Sequence, residues 1–476
     1  MPDEQGAPRS DPARTRLTAV IVACALFMQN LDGTVVATAL PAMARSFGAD
    51  PLHMNVALTS YLLSLAVFIP VSGWVADRFG TRTVFRAAIA VFTVGSVLCG
   101  QATELWALVG ARIMQGIGGA MMMPVGRLVL LRSVAKSELV AAMAWLSAPA
   151  LIGPVVGPPL GGLLVTYADW RWIFYINVPI GLLGIVLVTL HVENVRRPVP
   201  KRLDIPGLLL SAVALSTLMF GFEMLGRGMV PPWAAAALIG VGAAAALGYA
   251  VHARHTPDAL FDLGLLRIPT FGVSVAAGSL FRIGVGAVPF LLPLMLQLGF
   301  GNTAAESGLI TFASAIGALA MKPAVQFALR RFGFRMTLVW NGAVSAVLLG
   351  ACAAFRPAWP LLAIYAVLIA GGFLRSLQFT AYNTIAYADI PRDRMSAATS
   401  LYATIQQLSL TMGITVGAAA LEVSTVLSHR VTPVPADFSV AFLVVAVLSC
   451  AAAPISLILR KEAGAELSGH GPGVRI

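Results

Sequence analysis

Long apolar runs separated by short polar connections occupy almost the whole chain of 476 residues. A helix rises about 1.5 Å per residue, so a run of roughly 20 residues crosses the ~30 Å hydrocarbon core of a bilayer. The pattern therefore predicts fourteen membrane-spanning helices, at 17–38, 54–75, 83–100, 105–127, 139–166, 172–191, 205–226, 232–252, 270–297, 304–327, 336–355, 359–386, 396–425 and 438–459.

The composition agrees with a membrane protein. Hydrophobic residues make up 58% of the chain and charged residues 11%, whereas a soluble domain is about 25% charged. The N-terminal tail is polar and the first apolar run is long enough to span, so we expect no cleavable signal peptide. The four cysteines lie inside apolar runs, which favours buried small side chains over disulfides or metal ligands: Cys24, Cys99, Cys352 and Cys450.

The distribution of Lys and Arg predicts the orientation of the chain. With a cytoplasmic N-terminus and alternating spans, 23 of the 32 basic residues fall in inner tails and loops, among them Arg127, and 5 fall in outer loops. This is the positive-inside bias. It predicts that both termini are cytoplasmic, and it explains the net charge of +11 without a nucleic-acid partner.

A weak internal repeat predicts two halves. The pattern Arg-Phe-Gly-x-Arg occurs at 78–82, after span 2, and at 331–335, after span 10. Two parallel six-span halves are a known transporter architecture. The predicted organisation is an N-terminal tail (1–16), a first half (17–192), a linker (193–204), an inserted helix pair (205–252), a second half (253–459) and a C-terminal tail (460–476).

Asp32 and Arg112 are charged residues inside predicted spans. An ionisable group there costs about 2.5–3.5 kcal/mol on insertion scales, so it normally faces a cavity and serves a function. Asp32 lies about 15 residues, roughly 22 Å, above the inner edge of span 1, and Arg112 lies roughly 20 Å above the inner edge of span 4. We therefore predict that they interact, directly or through Gln115 or water. The alternative for Asp32 is an acid near a helix end that reaches interfacial water. The alternative for Arg112 is a structural cap on a helix packing site.

Two glycine-containing stretches are predicted to take part in conformational change. In GWVADRFGTR, at 73–82, Gly73 and Gly80 allow close approach, while Asp77 with Arg78 and Arg82 can form a charge cluster that closes a cytoplasmic gate. The alternative is a charged turn that only sets topology. In GPVVGPPLGG, at 153–162, we expect the glycines and prolines to interrupt the helix, so that it can bend and be approached closely, rather than being merely kinked. The candidate residues of this second stretch are Gly153, Pro154, Gly157, Pro158, Gly161 and Gly162.

Other polar residues inside spans are candidates for a substrate cavity. We predict that it is lined by Gln29, Gln115, Arg282, Arg375, Gln378, Asn383 and Gln406. Lys322 and Arg375 lie towards the inner side, where long cationic side chains can also reach the membrane surface. No nucleotide-binding loop, metal-ligand cluster or nucleophile–base pair is evident, so we expect no enzyme, no metal and no cofactor.

Several of these stretches resemble motifs of the fourteen-span drug:proton antiporters of the major facilitator superfamily, the EmrB/QacA type. The resemblance covers nearly the whole chain and rests on LDGTVVATALP (31–41), GWVADRFGTR (73–82), LVGARIMQGIGGA (108–120), GPVVGPPLGG (153–162), WRWIFYINVP (170–179) and QFTAYNT (378–384). It implies an all-α integral membrane protein with the major facilitator fold, built from two six-helix halves plus two inserted helices.

The resemblance also implies a function. It implies proton-driven efflux of small amphipathic or drug-like compounds by alternating access, in the inner membrane of a bacterium, with Asp32 as proton carrier and Arg112 as its partner. Its partners would be lipid, protons and a small-molecule substrate, and it leaves open whether a periplasmic adaptor takes part. The cations Arg112 and Arg282 favour an alternative, export of an organic anion. A non-transporting sensor or scaffold is an alternative of another class.

Overall fold

The computed structural model describes residues 12–48, 55–134, 138–196, 203–227, 231–256, 259–430 and 433–470. All regular structure in these ranges is helical. This follows from the composition, because lipid offers no hydrogen-bonding partners and a helix satisfies its own backbone groups. The predicted all-α class is therefore confirmed.

Helices occur at all fourteen predicted spans, and we number them accordingly. The first half contains α1 (Pro12–Phe47), α2a (Asn55–Phe68), α2b (Ser72–Phe79), α3 (Thr81–Gln101), α4 (Leu105–Ser133), α5 (Leu139–Tyr167), α6a (Trp172–Tyr175) and α6b (Asn177–His191). The inserted pair is α7 (Ile205–Arg227) and α8 (Pro232–His255). The second half contains α9 (Pro269–Leu294), α10a (Ala304–Ala320), α10b (Val325–Met336), α11 (Gly342–Ala351), α12 (Leu361–Ile385), α13 (Met395–Leu427) and α14 (Pro435–Cys450).

Eleven stretches of the described residues are long and apolar enough to cross a membrane as helices. One of them, Glu306–Ala354, contains both span 10 and span 11. Span 2 is not among the eleven because a turn around Pro70 divides it into two shorter helices. Span 5 is also not among the eleven. Its helix, α5, has 29 residues, but some of its side chains lie outside the described set.

The repeated loop sequence has the same backbone geometry in both halves. Gly80 ends α2b with φ of 92°, and Gly333 breaks α10b with φ of 69°. Positive φ angles favour glycine, which explains the glycine of each Arg-Phe-Gly-x-Arg pattern. Span 2, which was predicted to end at residue 75, is helical as far as Phe79.

Helix packing follows one scheme in both halves. In the first half α1 packs against α5, α2a against α4 and α3 against α6b; in the second half α9 packs against α13, α10a against α12 and α11 against α14. The halves meet where α13 contacts α2b and α4, and where α5 contacts α10a and α12. Within the inserted pair, α7 packs against α8 and also touches α2a and α13.

Asp204 fixes the entry to the inserted pair. Its carboxylate accepts hydrogen bonds from the backbone N–H of Gly207 (2.9 Å) and of Leu260 (3.1 Å), and it lies 2.8 Å from Nε2 of His252. Burial alone would raise the pKa of Asp204, but these hydrogen bonds outweigh it and leave the pKa below its usual value. The stabilisation is therefore complete above about pH 4 and is lost as the pH falls through the folded-state pKa.

Candidate functional site

Asp32 and Arg112 form a fully buried ion pair. The distance from Nη1 of Arg112 to Oδ2 of Asp32 is 2.6 Å, and both side chains have 0% exposure. Asp32 lies near the middle of α1, and Arg112 is the eighth residue of α4. Asp32 and Arg112, which were predicted to lie at similar depth and to interact, are thus in direct contact.

Three neutral side chains surround this ion pair: Gln115, Asn177 and Ser96. Together with Asp32 and Arg112 they form what we call the Asp32 cluster. Gln115 Nε2 and Asn177 Nδ2 donate to Oδ1 of Asp32 at 2.8 and 3.1 Å. The same two amides lie 2.6 and 3.1 Å from Oγ of Ser96. The cluster draws its side chains from α1, α3, α4 and α6b, so any movement among these helices changes the surroundings of the carboxylate.

Arg112 is held by contacts besides the ion pair. Its Nε donates to the carbonyl oxygen of Ala57 at 3.1 Å, and its Nη1 donates to Oε1 of Gln115 at 2.6 Å. The guanidinium lies 4.3 Å from the centre of the Tyr61 ring, a distance that allows a cation–π interaction. Gln29 lies one helical turn before Asp32; it is buried, and its Oε1 has no hydrogen-bond partner among the residues that the structure describes.

Neither Asn177 nor Ser96 was predicted as a site residue. Asn177 is the first residue of α6b, and Ile176 separates this helix from α6a. It belongs to the stretch 170–179 that carries the family resemblance, which was the available signal. Ser96 gives no such signal, because one serine in an apolar helix is common in membrane proteins.

The glycines of the 153–162 stretch pack α5 against α1 close to Asp32. A Cβ atom at Gly157 would overlap the hydroxyl of Thr34, and one at Gly153 would lie 2.8 Å from Cβ of Asn30. Gly161 is buried, whereas a Cβ at Gly162 would meet nothing within 4 Å. The expected interruption is wrong, because α5 runs without a break through the whole stretch. The side chains of two predicted residues lie outside the described set: Pro154 and Pro158.

This packing predicts a sharp difference between two glycines of one motif. Gly157→Ala is expected to destabilise the protein by about 1–3 kcal/mol, because the added methyl group must displace α1. Gly162→Ala adds the same atom to open space and is expected to leave stability unchanged. The measurement is the thermal unfolding midpoint of each purified variant in detergent. Equal midpoints for the two variants would contradict close packing between α1 and α5.

Asp77 joins the halves through partners other than those predicted. Its Oδ1 accepts a hydrogen bond from Nη2 of Arg132 at 2.9 Å, and its Oδ2 accepts one from the hydroxyl of Ser396 at 2.5 Å. The predicted cluster with Arg78 and Arg82 is wrong for this state, since Arg78 is exposed and Asp77 faces α4 and α13 instead. Arg132 and Ser396 were not predicted as partners, because both are remote from Asp77 in the sequence.

The two glycines of this stretch allow the close contact. A Cβ atom at Gly73 would lie 2.8 Å from the carbonyl oxygen of Ser396, and one at Gly80 would overlap the side chain of Asn194. The hydroxyl of Ser400 donates to the carbonyl oxygens of Ile69 and Pro70, at 3.1 and 3.0 Å. The beginning of α13 therefore lies against the broken second span of the other half.

The predicted cavity residues separate into three groups. Gln115 belongs to the Asp32 cluster, and Gln29 lies one helical turn before Asp32 on the same helix. Arg282, Asn383 and Gln406 belong to a second buried cluster, described below. Two residues instead contact neighbours within the second half: Gln378 Nε2 donates to the carbonyl oxygen of Leu338 at 2.8 Å, and Arg375 hydrogen-bonds to Ser314.

The second cluster lies between the halves, and we call it the inter-half cluster: Arg127, Arg282, Asn383, Tyr387, Tyr402 and Gln406. Arg127 of α4 donates to the hydroxyl of Tyr387 (3.2 Å) and to Oε1 of Gln406 (3.1 Å). Arg282 of α9 donates to Oδ1 of Asn383 at 3.1 Å and to the hydroxyl of Tyr402. The placement of Arg127 in an inner loop is wrong, because α4 extends to Ser133 and the side chain is 3% exposed.

Comparisons with known proteins identify the family of this chain. The family model described as Major Facilitator Superfamily matches residues 22–288 and again 274–474. The chain is 41% identical over 412 residues to the Salmonella heidelberg (strain SL476) protein named "Putative multidrug resistance protein MdtD", covering 86% of this chain and 87% of that one. It is 42% identical over 416 residues to the Klebsiella pneumoniae (strain 342) protein of the same name, with the same coverage.

A solved structure shows the same fold. The crystal structure of the human organic anion transporter MFSD10 (TETRAN) matches with a TM-score of 0.66 over 94% of this chain and 100% of that chain, at 14% identity. Such low identity supports the fold alone. Together with two matches of the family model and two relatives above 40% identity, the observations confirm the resemblance seen in the motifs: this multi-pass membrane protein belongs to the Major Facilitator Superfamily.

Proposed function

We propose that this protein is a proton-coupled efflux transporter that exports small amphipathic compounds by alternating access. The observation that carries the proposal is the Asp32–Arg112 pair, fully buried within the six helices of one half. Two buried charges lose their hydration, and replacing such a pair by apolar residues is often neutral or stabilising. A pair that does not increase stability is retained for another reason, and a carboxylate that exchanges a proton provides one.

The geometry suggests how the carboxylate changes its protonation. In the present state Asp32 accepts hydrogen bonds from Arg112, Gln115 and Asn177. Hydrogen-bond donors and a neighbouring cation are the contacts that a carboxylate changes when it gains or loses a proton. Removal of those donors in a low-dielectric surrounding favours the protonated form. Because the donors lie on α4 and α6b while Asp32 lies on α1, a change in helix arrangement can drive proton uptake and release.

The names of the relatives support the choice of cargo and direction. Two proteins more than 40% identical to this chain carry the name "multidrug resistance protein", which suggests export of drug-like compounds. Energy would come from the proton gradient across a bacterial inner membrane without a cofactor. Both termini would lie in the cytoplasm, as the 23 to 5 distribution of basic residues predicts.

The contacts of Asp77 would then form the cytoplasmic gate. α2b, the end of α4 and the beginning of α13 lie on the face that carries both termini. Asp77 bridges Arg132 of the first half and Ser396 of the second, so this face is joined in the present state. Alternating access requires these contacts to break when the transporter opens inward.

The gate predicts the effect of one substitution. Asp77→Asn should insert normally and lower the transport rate about tenfold, because hydrogen bonds to charged groups contribute about 1.5–3 kcal/mol to the closed state. Initial rates in proteoliposomes measure this effect. The matched control is Asp169→Asn, which removes a carboxylate from an exposed ion pair with Arg171 and should have little effect. Equal rates for the two variants would restrict the Asp77 stretch to a role in topology.

The proposed function is tested by transport against a gradient. Inside-out membrane vesicles with an imposed proton gradient are supplied with a panel of cationic, neutral and anionic fluorescent compounds. We expect at least one compound to accumulate, and accumulation to disappear when a protonophore collapses the gradient. A panel without any gradient-dependent accumulation would contradict efflux and would favour a sensor or scaffold.

A further inference from the structure

The inter-half cluster contains two buried arginines without a carboxylate. Arg127 is 3% exposed and Arg282 is 1% exposed. Among the described residues, neither of these two arginines forms an ion pair. The arginines that do are Arg112, Arg132, Arg171, Arg394 and Arg430. The acceptors that Arg127 and Arg282 do contact are neutral, because tyrosine ionises near pH 10 and glutamine and asparagine carry no charge.

The hydrogen bonding of both guanidinium groups is also incomplete. Nε of Arg127 and Nε of Arg282 are buried without a hydrogen-bond partner in the described part of the chain. A guanidinium remains charged in proteins, so neither group can relieve its burial by losing a proton. A buried unpaired charge is costly, and the usual compensation is a counter-ion. Two such groups in one cluster therefore indicate that a ligand supplies the missing negative charge.

Tyr402 places the two cations near each other. The Arg127 guanidinium lies 5.2 Å from the centre of the Tyr402 ring, and the Arg282 guanidinium lies 4.7 Å from it. The ring of Tyr387 packs against that of Tyr402, with 5.6 Å between centres, and Phe379 lies 5.6 Å from the Arg282 guanidinium. The cations are thus surrounded by aromatic surface, which suits a ligand that has both a charge and an apolar body.

We propose that the inter-half cluster binds an amphipathic organic anion, with its carboxylate held between Arg127 and Arg282 and its apolar body against the tyrosine rings. Guanidinium groups bind carboxylates with paired, charge-assisted hydrogen bonds, and the free Nε groups are suited to this. The inference rests on the proposed function in that the anion would be the cargo. It keeps Arg282 from the expectation based on Arg112 and Arg282, but Arg127 takes the place of Arg112, since Asp32 already neutralises Arg112.

The position of the cluster links binding to movement. Arg127 belongs to the first half, and the other five members belong to the second. An anion between the two arginines would replace repulsion between like charges with attraction across the interface. Bound cargo would therefore stabilise an arrangement in which the halves approach at this level, and its release would allow them to separate.

The test measures binding without transport. Purified protein in phosphatidylcholine nanodiscs is titrated into carboxyfluorescein, an aromatic carboxylate dye, and into rhodamine 6G, a cationic dye, with fluorescence anisotropy as readout. We expect the wild-type protein to bind carboxyfluorescein, and Arg127→Gln and Arg282→Gln each to weaken binding about tenfold or more. Arg127→Lys should retain part of the affinity, because it keeps the charge. Arg331→Gln, which removes an exposed cation of the same type, should bind like the wild type.

Three results would overturn the proposal. The first is unchanged carboxyfluorescein affinity in both glutamine variants, while their thermal unfolding midpoints confirm that they are folded. The second is no binding of carboxyfluorescein by the wild type while rhodamine 6G binds. The third is complete displacement of the dye by chloride or by phosphatidylglycerol in the nanodisc, which would assign the site to an inorganic anion or a lipid headgroup.

The two proposals can fail separately. Asp32→Asn should still bind carboxyfluorescein, because Asp32 makes none of the contacts of the inter-half cluster; its affinity changes only through the coupled proton. Anion binding without gradient-dependent accumulation of any compound would leave the anion site intact, but it would contradict efflux and the role of the anion as cargo. Gradient-dependent export of a cationic dye, with equal carboxyfluorescein binding by wild type and Arg127→Gln, would leave efflux intact and contradict the anion site.

Discussion

Asp32→Asn is expected to abolish accumulation of cargo against its gradient. Asparagine has nearly the same shape and still accepts a hydrogen bond, but it cannot release a proton, so the site stays in a permanently neutral form. The proton gradient then has no group to act on, and the concentration ratio in proteoliposomes should fall to about one, the value at equilibrium. Exchange of labelled for unlabelled cargo without a gradient should persist, because it requires movement of the helices but no net proton transfer.

A companion variant separates coupling from folding. Asp32→Asn leaves the Arg112 charge without its carboxylate, and this alone can destabilise the protein. The double variant Asp32→Asn with Arg112→Gln removes both charges and retains hydrogen-bonding side chains at both positions. It should have a higher unfolding midpoint than the single variant and the same loss of accumulation. Accumulation by a well-folded double variant would show that the coupling group is a different carboxylate.

Arg112→Ala is expected to be the most destabilising single substitution in the Asp32 cluster. It leaves a carboxylate with 0% exposure without its cation and opens a cavity where the side chain lay. Breaking a buried pair from one side costs about 3–5 kcal/mol. The thermal unfolding midpoint and the yield of folded protein after solubilisation should both fall well below those of Asp32→Asn.

The double substitution Asp32→Ala with Arg112→Ala provides the quantitative check. Because the two groups are in contact, their effects should not add, and the double variant should be more stable than the sum of the single effects predicts. Strict additivity would mean that the 2.6 Å contact contributes no coupling free energy. That result would contradict the ionic character of the pair.

The sequence predicts the fold and part of the site for physical reasons that can be named. Apolar runs of spanning length define helices whatever their neighbours are, which is why all fourteen spans coincide with helices in the described residues. The pairing of Asp32 with Arg112 was accessible because depth in a membrane can be calculated from helix rise alone. Depth does not define rotation about a helix axis, however. Gln378 and Arg375 therefore have plausible depths but face neighbours in their own half.

Contacts between remote segments account for the remaining differences. Asp77 has Arg78 and Arg82 beside it in the sequence, yet it pairs with Arg132 and Ser396, which the tertiary fold brings to it. Ser96 enters the Asp32 cluster only because α3 packs between α4 and α6b. The inter-half cluster was missed as a unit because Arg127, at the predicted end of a span, was counted with the loop cations.

The most direct test of the central claim is proton release on cargo binding. Purified protein in weakly buffered nanodiscs is mixed with a compound that the vesicle assay shows to be transported, and a pH-sensitive dye follows the external pH between about pH 5 and 8. We expect release on the order of one proton per bound molecule by the wild-type protein, and no release by Asp32→Asn at equal occupancy of cargo. Proton release of the same size by Asp32→Asn would show that Asp32 does not couple the proton to transport.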